Sequence, residues 1–157
     1  MSLKLVRLDD RLIHGQVVVG WGNAVAADRI LLIDDDAAAN DWERELYAMG
    51  VPPEMEVEFS SVEDCAGALD RVANSKQRTM VLVGDVDTLV RICDASDVVK
   101  RVNIGGIHES NGRSKRLAYV FLTDEEAEAL KSLVERGIEV TARDVPTTKP
   151  VPLAEFA

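Results

Sequence analysis

Short apolar runs alternate along the chain with stretches in which apolar residues recur at helical spacing. The five runs are Leu3–Leu8, Arg29–Ile33, Met55–Phe59, Thr79–Val83 and Arg101–Ile104. Alternation of strands and helices is typical of α/β proteins, in which helices cover both faces of a parallel sheet. The pattern therefore predicts an α/β fold with an open, mostly parallel twisted sheet of about seven strands and helices on both faces.

The helical stretches carry apolar stripes that we expect to pack in the core. The predicted inward residues are Val17, Trp21, Ala24 and Val25 in the first helix; Trp42, Leu46 and Met49 in the second; Val62, Cys65, Leu69 and Val72 in the third; Val86, Leu89, Val90 and Cys93 in the fourth; and Ala127, Leu130 and Val134 in the last. Capping boxes at Ser60-x-x-Glu63 and Thr123-x-x-Glu126 predict where the third and last helices begin.

The alternation changes after Ile104. Gly105-Gly106 and Asn111-Gly112 are turn signals, and strands are predicted at Leu117–Leu122 and Ile138–Ala142. The connection between the fifth run and the next strand is too short for a helical crossover, so we expect one late strand to be antiparallel. We find no linker or low-complexity tract, and we interpret residues 1–157 as a single domain.

Composition is typical of a soluble globular protein, with 46% hydrophobic and 29% charged residues in a chain of 157. No apolar run approaches the roughly 20 residues that cross a bilayer, so we expect no transmembrane segment. The first strand is predicted to begin within a few residues of the amino terminus, so we expect no signal peptide. Cys65 and Cys93 match no metal or redox spacing. The expected compartment is the cytoplasm.

The net charge of −10 makes nucleic acid an unfavourable partner. The positive charge is concentrated: residues 1–22 carry +1 and residues 100–116 carry +4, so the remainder carries −15. One interpretation is that these two segments meet around a common anionic ligand. The alternative is that residues 100–116 form a solvated hairpin with no such role.

The candidate chemistry lies between the first strand and the first helix. Asp9, Asp10, Arg11 and His14 follow the strand directly. Ligands collect at the carboxyl ends of strands in open α/β sheets. His14 precedes Gly15-Gln16, where the free N–H groups of the helix start and the Arg11 guanidinium would favour a phosphate. A neutral imidazole beside such a site suits phosphorylation on histidine, although by spacing alone a single histidine near a helix start is more often an ordinary polar loop residue.

This segment resembles a known signature. Residues 7–17, Arg-Leu-Asp-Asp-Arg-Leu-Ile-His-Gly-Gln-Val, are similar to the R-x-D-x-R-L-I-H-G-Q-V opening of the IIB subunits of the mannose/fructose/sorbose-type sugar phosphotransferase system (PTS). The similarity continues through residues 34–40, Pro52-Pro53, residues 103–108 with Gly112-Arg113, residues 137–140 and Pro146. It therefore covers nearly the whole chain in order.

The resemblance implies a phosphotransferase component. His14 would accept a phosphoryl group, on the nitrogen nearer Cβ, from a phosphohistidine of a IIA protein. It would pass the group to a sugar presented by the membrane subunits IIC and IID, so that the protein would be cytoplasmic and peripherally associated with the transporter. The alternative is a stand-alone regulatory phosphoacceptor without a transport partner. Neither the sugar nor the oligomeric state is predicted.

Several residues are expected to support His14. Arg11, Gly15 and Gln16 are predicted to bind the phosphoryl group, and Asp9 and Asp10 to orient Arg11 or hold one imidazole nitrogen. Gly105 and Gly106 would let backbone N–H groups approach the phosphoryl oxygens, unless they serve only a turn. His108 is interpreted as a rim residue.

We expect neither a cofactor nor a metal. The sequence contains no Gly-x-Gly-x-x-Gly or Walker motif. Asp34, Asp35 and Asp36 could suggest a divalent cation, but a helix cap is the favoured interpretation.

Overall fold

The fold is an α/β sheet flanked by helices, and the computed structural model describes residues 2–157 of it. The strands are β1 Leu3–Asp9, β2 Arg29–Ile33, β3 Glu56–Ser60, β4 Thr79–Val83, β5 Arg101–Gly106, β6 Ser114–Leu117, β7 Val120–Leu122, β8 Glu139–Ala142 and β9 Val151–Pro152. Seven of them form one sheet in the order β3-β2-β4-β1-β5-β8-β9. All neighbours in it are parallel except β8 and β9. The predicted fold class is confirmed.

The helices lie between the strands as the alternation predicted. A π-helix at Gln16–Trp21 continues into α1 Gly22–Ala24, and α2 Asp35–Ala39, α3 Asp41–Met49, α4 Cys65–Ala73, α5 Val86–Ala95, α6 Asp124–Glu135 and a terminal 3-10 helix at Leu153–Glu155 follow. None of the helices within residues 2–157 has the length and apolar character needed to cross a membrane.

The core is divided by the sheet into two apolar clusters. Alternate residues of β2 point to opposite faces, so Leu31 and Ile33 belong to one cluster and Ile30 and Leu32 to the other. Helices α4, α5 and α6 pack on the first face. The π-helix and α2 pack on the second, the face on which the candidate site lies.

Late in the chain the structure differs from the sequence prediction. The predicted strand at Leu117–Leu122 is a hairpin of β6 and β7, antiparallel and outside the main sheet. The second antiparallel pair is β9 on β8, which the sequence did not predict. Gly105-Gly106 is not a turn, because both glycines complete β5. The turn at Asn111-Gly112 is present, with Gly112 at φ +82°.

One of the two predicted capping boxes is correct. The Thr123 hydroxyl accepts a hydrogen bond from Glu126 N at 3.0 Å, and Glu126 Oε1 accepts one from Thr123 N at 2.9 Å. The Ser60 box is wrong, because Ser60 ends β3 and α4 starts only at Cys65.

The apolar stripes of α4 and α5 are buried as predicted except Val90, which is half-buried. In α6, Leu133 is buried in place of Val134, which is 44% exposed. Ala24 and Val25 are not buried. The prediction differs most from the structure in α3, where Trp42, Leu46 and Met49 all face outward instead of packing in the core.

Candidate functional site

The loop after β1 folds back on itself and brings His14 over Asp9. Leu12 N donates to Asp9 O at 3.0 Å, which closes a tight turn. Leu12 has a φ of +59°, a conformation that costs a non-glycine residue about 1–2 kcal/mol. Ile13 beside it is buried in the core. The loop is therefore fixed at both ends, by the strand and by Ile13.

A glycine directly after the neighbouring strand β4 accommodates this turn. Gly84 follows β4, and a Cβ atom placed there would lie 2.8 Å from Leu12 Cδ2. Any larger residue would push the Leu12 side chain away. This contact cannot be predicted from the sequence, because nothing in the pattern relates Leu12 to a residue 72 positions later.

Asp9 is the centre of the polar contacts in this loop, and its side chain is fully buried. Its Oδ1 accepts hydrogen bonds from Arg11 N at 3.1 Å and from Arg11 Nε at 3.2 Å. Its Oδ2 lies 3.2 Å from Arg11 Nη2, 3.3 Å from Arg7 Nη2 and 3.2 Å from His14 Nε2. Burial alone would raise the pKa of the Asp9 carboxyl, but the bonds from Arg11 and the charges of Arg7 and Arg11 outweigh it, so the pKa lies below its usual range. Asp9 is therefore a carboxylate that holds two cations and one imidazole.

Arg7 is a buried cation that joins three parts of the fold. It lies on β1, where its side chain is only 1% exposed. Besides Asp9, its guanidinium donates to the Asn103 side chain on β5, to Arg143 O at 2.9 Å and to Asp144 O at 3.0 Å. Burial lowers the pKa of Arg7, opposed chiefly by the Asp9 charge. These bonds tie the end of β1 to β5 and to the segment after β8.

The packing around the Arg7 guanidinium explains why residues 105 and 106 are both glycine. Its guanidinium stacks on the Trp21 ring at 4.6 Å from the centroid. The guanidinium also occupies the space where a Cβ of Gly105 would stand. A Cβ of Gly106 would lie 3.4 Å from Asp9 Oδ1. Gly105 and Gly106 thus make room for the buried Arg7–Asp9 pair, a role that sequence reasoning missed.

His14 has one ring nitrogen occupied and the other available. An ionised carboxylate can only accept hydrogen bonds, so Nε2 must carry the hydrogen that faces Asp9. In the neutral ring Nδ1 then keeps its lone pair. Burial lowers the pKa of His14, and although Asp9 opposes this effect the pKa stays below the usual value. The side chain is 18% exposed, so a reactant can still reach it.

The helix that follows starts directly at the imidazole. Val18 N donates to His14 O at 3.0 Å, so the first N–H groups, those of Gly15 and Gln16, have no acceptor within the helix. Gly15 has ordinary helical angles, and no other part of residues 2–157 lies within 4 Å of where its Cβ would be. The helix is π-helical over Gln16–Trp21, a form common at functional sites that apolar spacing did not reveal.

Asp10 and His108 form a separate pair beside the loop. Asp10 accepts a hydrogen bond from His108 N at 2.7 Å, and its Oδ1 lies 2.6 Å from His108 Nδ1. The His108 side chain is 69% exposed, and His108 O accepts from Arg113 at 3.1 Å. Asp10 therefore holds His108 rather than His14 or Arg11.

Within residues 2–157, no cation of residues 100–116 forms a hydrogen bond or ion pair with His14 or Asp9. Arg113 is paired with Glu126 through two bonds of 3.0 Å, and Arg116 is 3.1 Å from Asp124. Lys100 and Arg101 lie at the start of β5, whereas His14 follows the end of its parallel neighbour β1. Arg7 and Arg11 are the cations that share the Asp9 carboxylate with His14.

The run of aspartates caps a helix, as favoured from the sequence. Asp34 Oδ2 accepts from Ala37 N at 2.9 Å at the start of α2, and Asp35 Oδ1 accepts from Val62 N at 2.8 Å. No group of three or more His, Cys, Asp or Glu side chains within residues 2–157 is arranged to hold a metal ion.

Comparison with known proteins places this chain in a family. The family model described as "PTS system sorbose subfamily IIB component" matches residues 3–157. The fructose-specific EIIB component of Bacillus subtilis is 29% identical over 147 residues, which are 94% of this chain and 90% of that protein. The mannose-specific EIIAB component of Escherichia coli K12 is also 29% identical over 147 residues, but these cover 46% of that longer protein.

Solved structures agree with the sequence comparison. The IIB domain of the sorbose permease from Klebsiella pneumoniae superposes with a TM-score of 0.89 at 26% identity, over 99% of this chain and 96% of that one. Sequence and fold thus agree along nearly the full length. The chain belongs to the sorbose subfamily of IIB components of the phosphotransferase system.

Proposed function

We propose that this protein is a phosphocarrier that accepts a phosphoryl group on His14 and passes it to a sugar during PTS transport. The observation that carries the proposal is the His14–Asp9 contact of 3.2 Å at Nε2. This contact leaves Nδ1 of a neutral imidazole as the nucleophile. The imidazole lies at the start of a helix and shares Asp9 with the buried guanidinium of Arg7 and the half-exposed guanidinium of Arg11.

The two transfers require positioning and charge more than proton chemistry. In the first, the Nδ1 lone pair forms a bond to phosphorus as the bond to the donor imidazole breaks, and no proton is abstracted. In the second, the P–N bond to His14 breaks as a sugar hydroxyl oxygen forms the P–O bond, the electron pair returns to Nδ1, and the hydroxyl proton passes to solvent water. Asp9 stabilises the positive charge that develops on the ring when Nδ1 becomes substituted.

Arg11 is proposed as the main phosphate ligand. Its side chain is 41% exposed, whereas that of Arg7 is buried, so Arg11 can turn part of its fork towards a phosphoryl oxygen. The N–H groups of Gly15 and Gln16 would complete the cradle at the helix start. The open space beside Gly15 is where a phosphoryl group on Nδ1 would enter.

The proposed partners follow from family membership. A IIA protein would be the donor, which is consistent with the mannose-specific EIIAB relative, whose name joins the two components. Membrane subunits IIC and IID would present the sugar, and the protein would work in the cytoplasm at the surface of that transporter.

The test is to label the protein with a phosphoenolpyruvate-driven relay ending in a phosphorylated IIA protein. His14→Ala should abolish acid-labile phosphate on the chain, because it removes the nucleophile. The matched variant His108→Ala should retain most of it, since His108 faces Asp10. Phosphorus NMR should assign the product to Nδ1. Labelling that survives in His14→Ala, or that is lost in His108→Ala alone, would contradict the assignment.

A further inference from the structure

Helix α3 presents an apolar stripe to the outside instead of to the core. Trp42, Leu46 and Met49 are 70%, 51% and 83% exposed. Their spacing of four and then three residues places them on one side of the helix. No residue within Asp41–Met49 is buried, and α3 is held to the protein through half-buried Tyr47. Exposed apolar patches of this kind mark interaction surfaces.

The stripe lies in the most acidic part of the chain. Residues 34–58 contain nine acidic side chains and one basic one, a charge of −8 out of the total of −10. The one basic residue, Arg44, is engaged with the carbonyl groups of Ala37 and Ala38 and with Asp41. Asp41 is paired with Arg44 and Glu58 with Arg71. Glu43 and Glu45, on the same helix as the stripe, form no ion pair within residues 2–157 and leave the surroundings of the stripe acidic.

These charges restrict what can cover the stripe. An anionic lipid surface would be repelled by the acidic surroundings. A second copy docked through the same stripe would bring two acidic surfaces together, as a two-fold interface requires. A polypeptide segment rich in Lys and Arg, with its own apolar residues, complements both the stripe and its surroundings.

The position of α3 relates the stripe to His14. Tyr47 packs against the same apolar cluster as Val17 and Trp21 of the π-helix, so α3 and the helix after His14 cover one face of the sheet. The α2–α3 pair follows β2, which is separated from β1 by β4 alone. At about 4.8 Å between strands, these two strand ends are roughly 10 Å apart. A partner seated on the stripe would therefore stand beside the candidate site.

We propose that the α3 stripe is the docking surface for a basic cytoplasmic segment of the membrane subunits that accept the phosphoryl group. This rests on the proposed function, which requires a membrane acceptor. Cytoplasmic loops of membrane proteins carry an excess of Lys and Arg, which is the charge that the stripe demands. Docking through α3 would leave the His14 side chain uncovered, so that it could face the acceptor site.

The test is binding of the purified protein to vesicles that carry the IIC and IID subunits, measured by co-sedimentation against vesicles of the same lipid alone. Binding to the subunit vesicles should weaken at least about tenfold in Trp42→Ser/Met49→Ser, which removes the apolar anchors. It should weaken similarly in Glu43→Lys/Glu45→Lys and fall as salt screens the charges.

The matched control is Val134→Ser, which removes an exposed apolar side chain from α6 on the other face of the sheet. It should bind as the wild type does. Because binding is measured without phosphoryl transfer, His14→Ala should also bind normally, so failure of the proposed chemistry and failure of docking give different results.

Three outcomes would overturn the proposal. One is unchanged binding of both stripe variants, and another is equal binding to vesicles of lipid alone. The third is a dimer in sedimentation equilibrium that Trp42→Ser/Met49→Ser dissociates, because the stripe would then be covered by a second copy.

Discussion

Replacing Asp9 with Asn tests the central electrostatic arrangement of the site. The two side chains have nearly the same shape, but Asn has no charge and carries an NH2 group in place of one acceptor oxygen. Arg7 would keep its bonds to Asn103 and to two carbonyl groups and lose its counter-charge. His14 would lose the acceptor that fixes the hydrogen on Nε2.

The stability that Asp9→Asn should lose follows from the burial of the Asp9–Arg7 ion pair. The Asp9 and Arg7 side chains are 0% and 1% exposed, and breaking a buried ion pair costs about 3–5 kcal/mol. In a domain of this size each 1 kcal/mol lowers the melting temperature by about 2–4 °C, so we expect a decrease of roughly 6–20 °C. Without the fixed tautomer, phosphoryl transfer should slow by about 10²–10⁴-fold. Rate losses of this size are expected when a catalytic imidazole loses the carboxylate that orients it.

A titration separates the charge effect from simple unfolding. The contacts with Asp9 raise the pKa of His14 against the lowering by burial, so the pKa should fall further in Asp9→Asn. The variant imidazole would then be neutral over a wider pH range, and yet transfer should be slow throughout that range. Proton NMR of the His14 ring, measured well below the melting temperature, gives the pKa, and rapid-quench labelling gives the rate.

Asp10→Asn is the matched control for the titration, because Asp10 contacts His108 and should leave the His14 pKa unmoved. The reasoning is refuted if the His14 pKa rises or stays constant in Asp9→Asn. A wild-type transfer rate in a folded Asp9→Asn protein would equally refute it.

Two further substitutions address the cations. Arg11→Lys keeps the charge but cannot form both side-chain bonds to Asp9. Rapid-quench labelling should show phosphoryl transfer slowed about 10–100-fold, with little change in thermal stability. An unchanged rate would mean that Arg11 does not bind the phosphoryl group. Gly105→Ala puts a methyl group where the Arg7 guanidinium lies, so denaturant titration should show a loss of about 1–3 kcal/mol. Gly15→Ala, with open space at that position, is its control for stability, and equal losses in the two variants would contradict the packing argument.

The sheet could be predicted from the sequence because its strands are continuous apolar runs with helical stretches between them. The stripe of α3 shows where this reasoning fails. Periodicity indicates that Trp42 and Leu46 share one side of a helix, but not whether another element covers that side. Here the α2–α3 pair connects β2 to β3, the edge strand, and the stripe is left without a neighbour.

The candidate site was predictable where its residues are close in sequence. Asp9, Arg11 and His14 lie within six positions, and the structure brings them into contact. The contact between Arg7 and Asn103 joins residues 96 positions apart, so no local pattern reports it. The sequence does carry one indirect signal, because an arginine within an apolar strand requires a buried polar partner.

The left-handed turn at Leu12 determines how the imidazole is presented. Rotation about this residue would withdraw Ile13 from the core and break the bond from Leu12 N to Asp9 O, so the loop has no inexpensive alternative conformation. The entropy of aligning the nucleophile is then lost once, when the chain folds, and not at each encounter. An enzyme with one substrate gains from this only once per turnover. In the proposed reaction His14 meets a donor and then an acceptor, so the same rigid loop lowers the cost of alignment in both halves of the cycle.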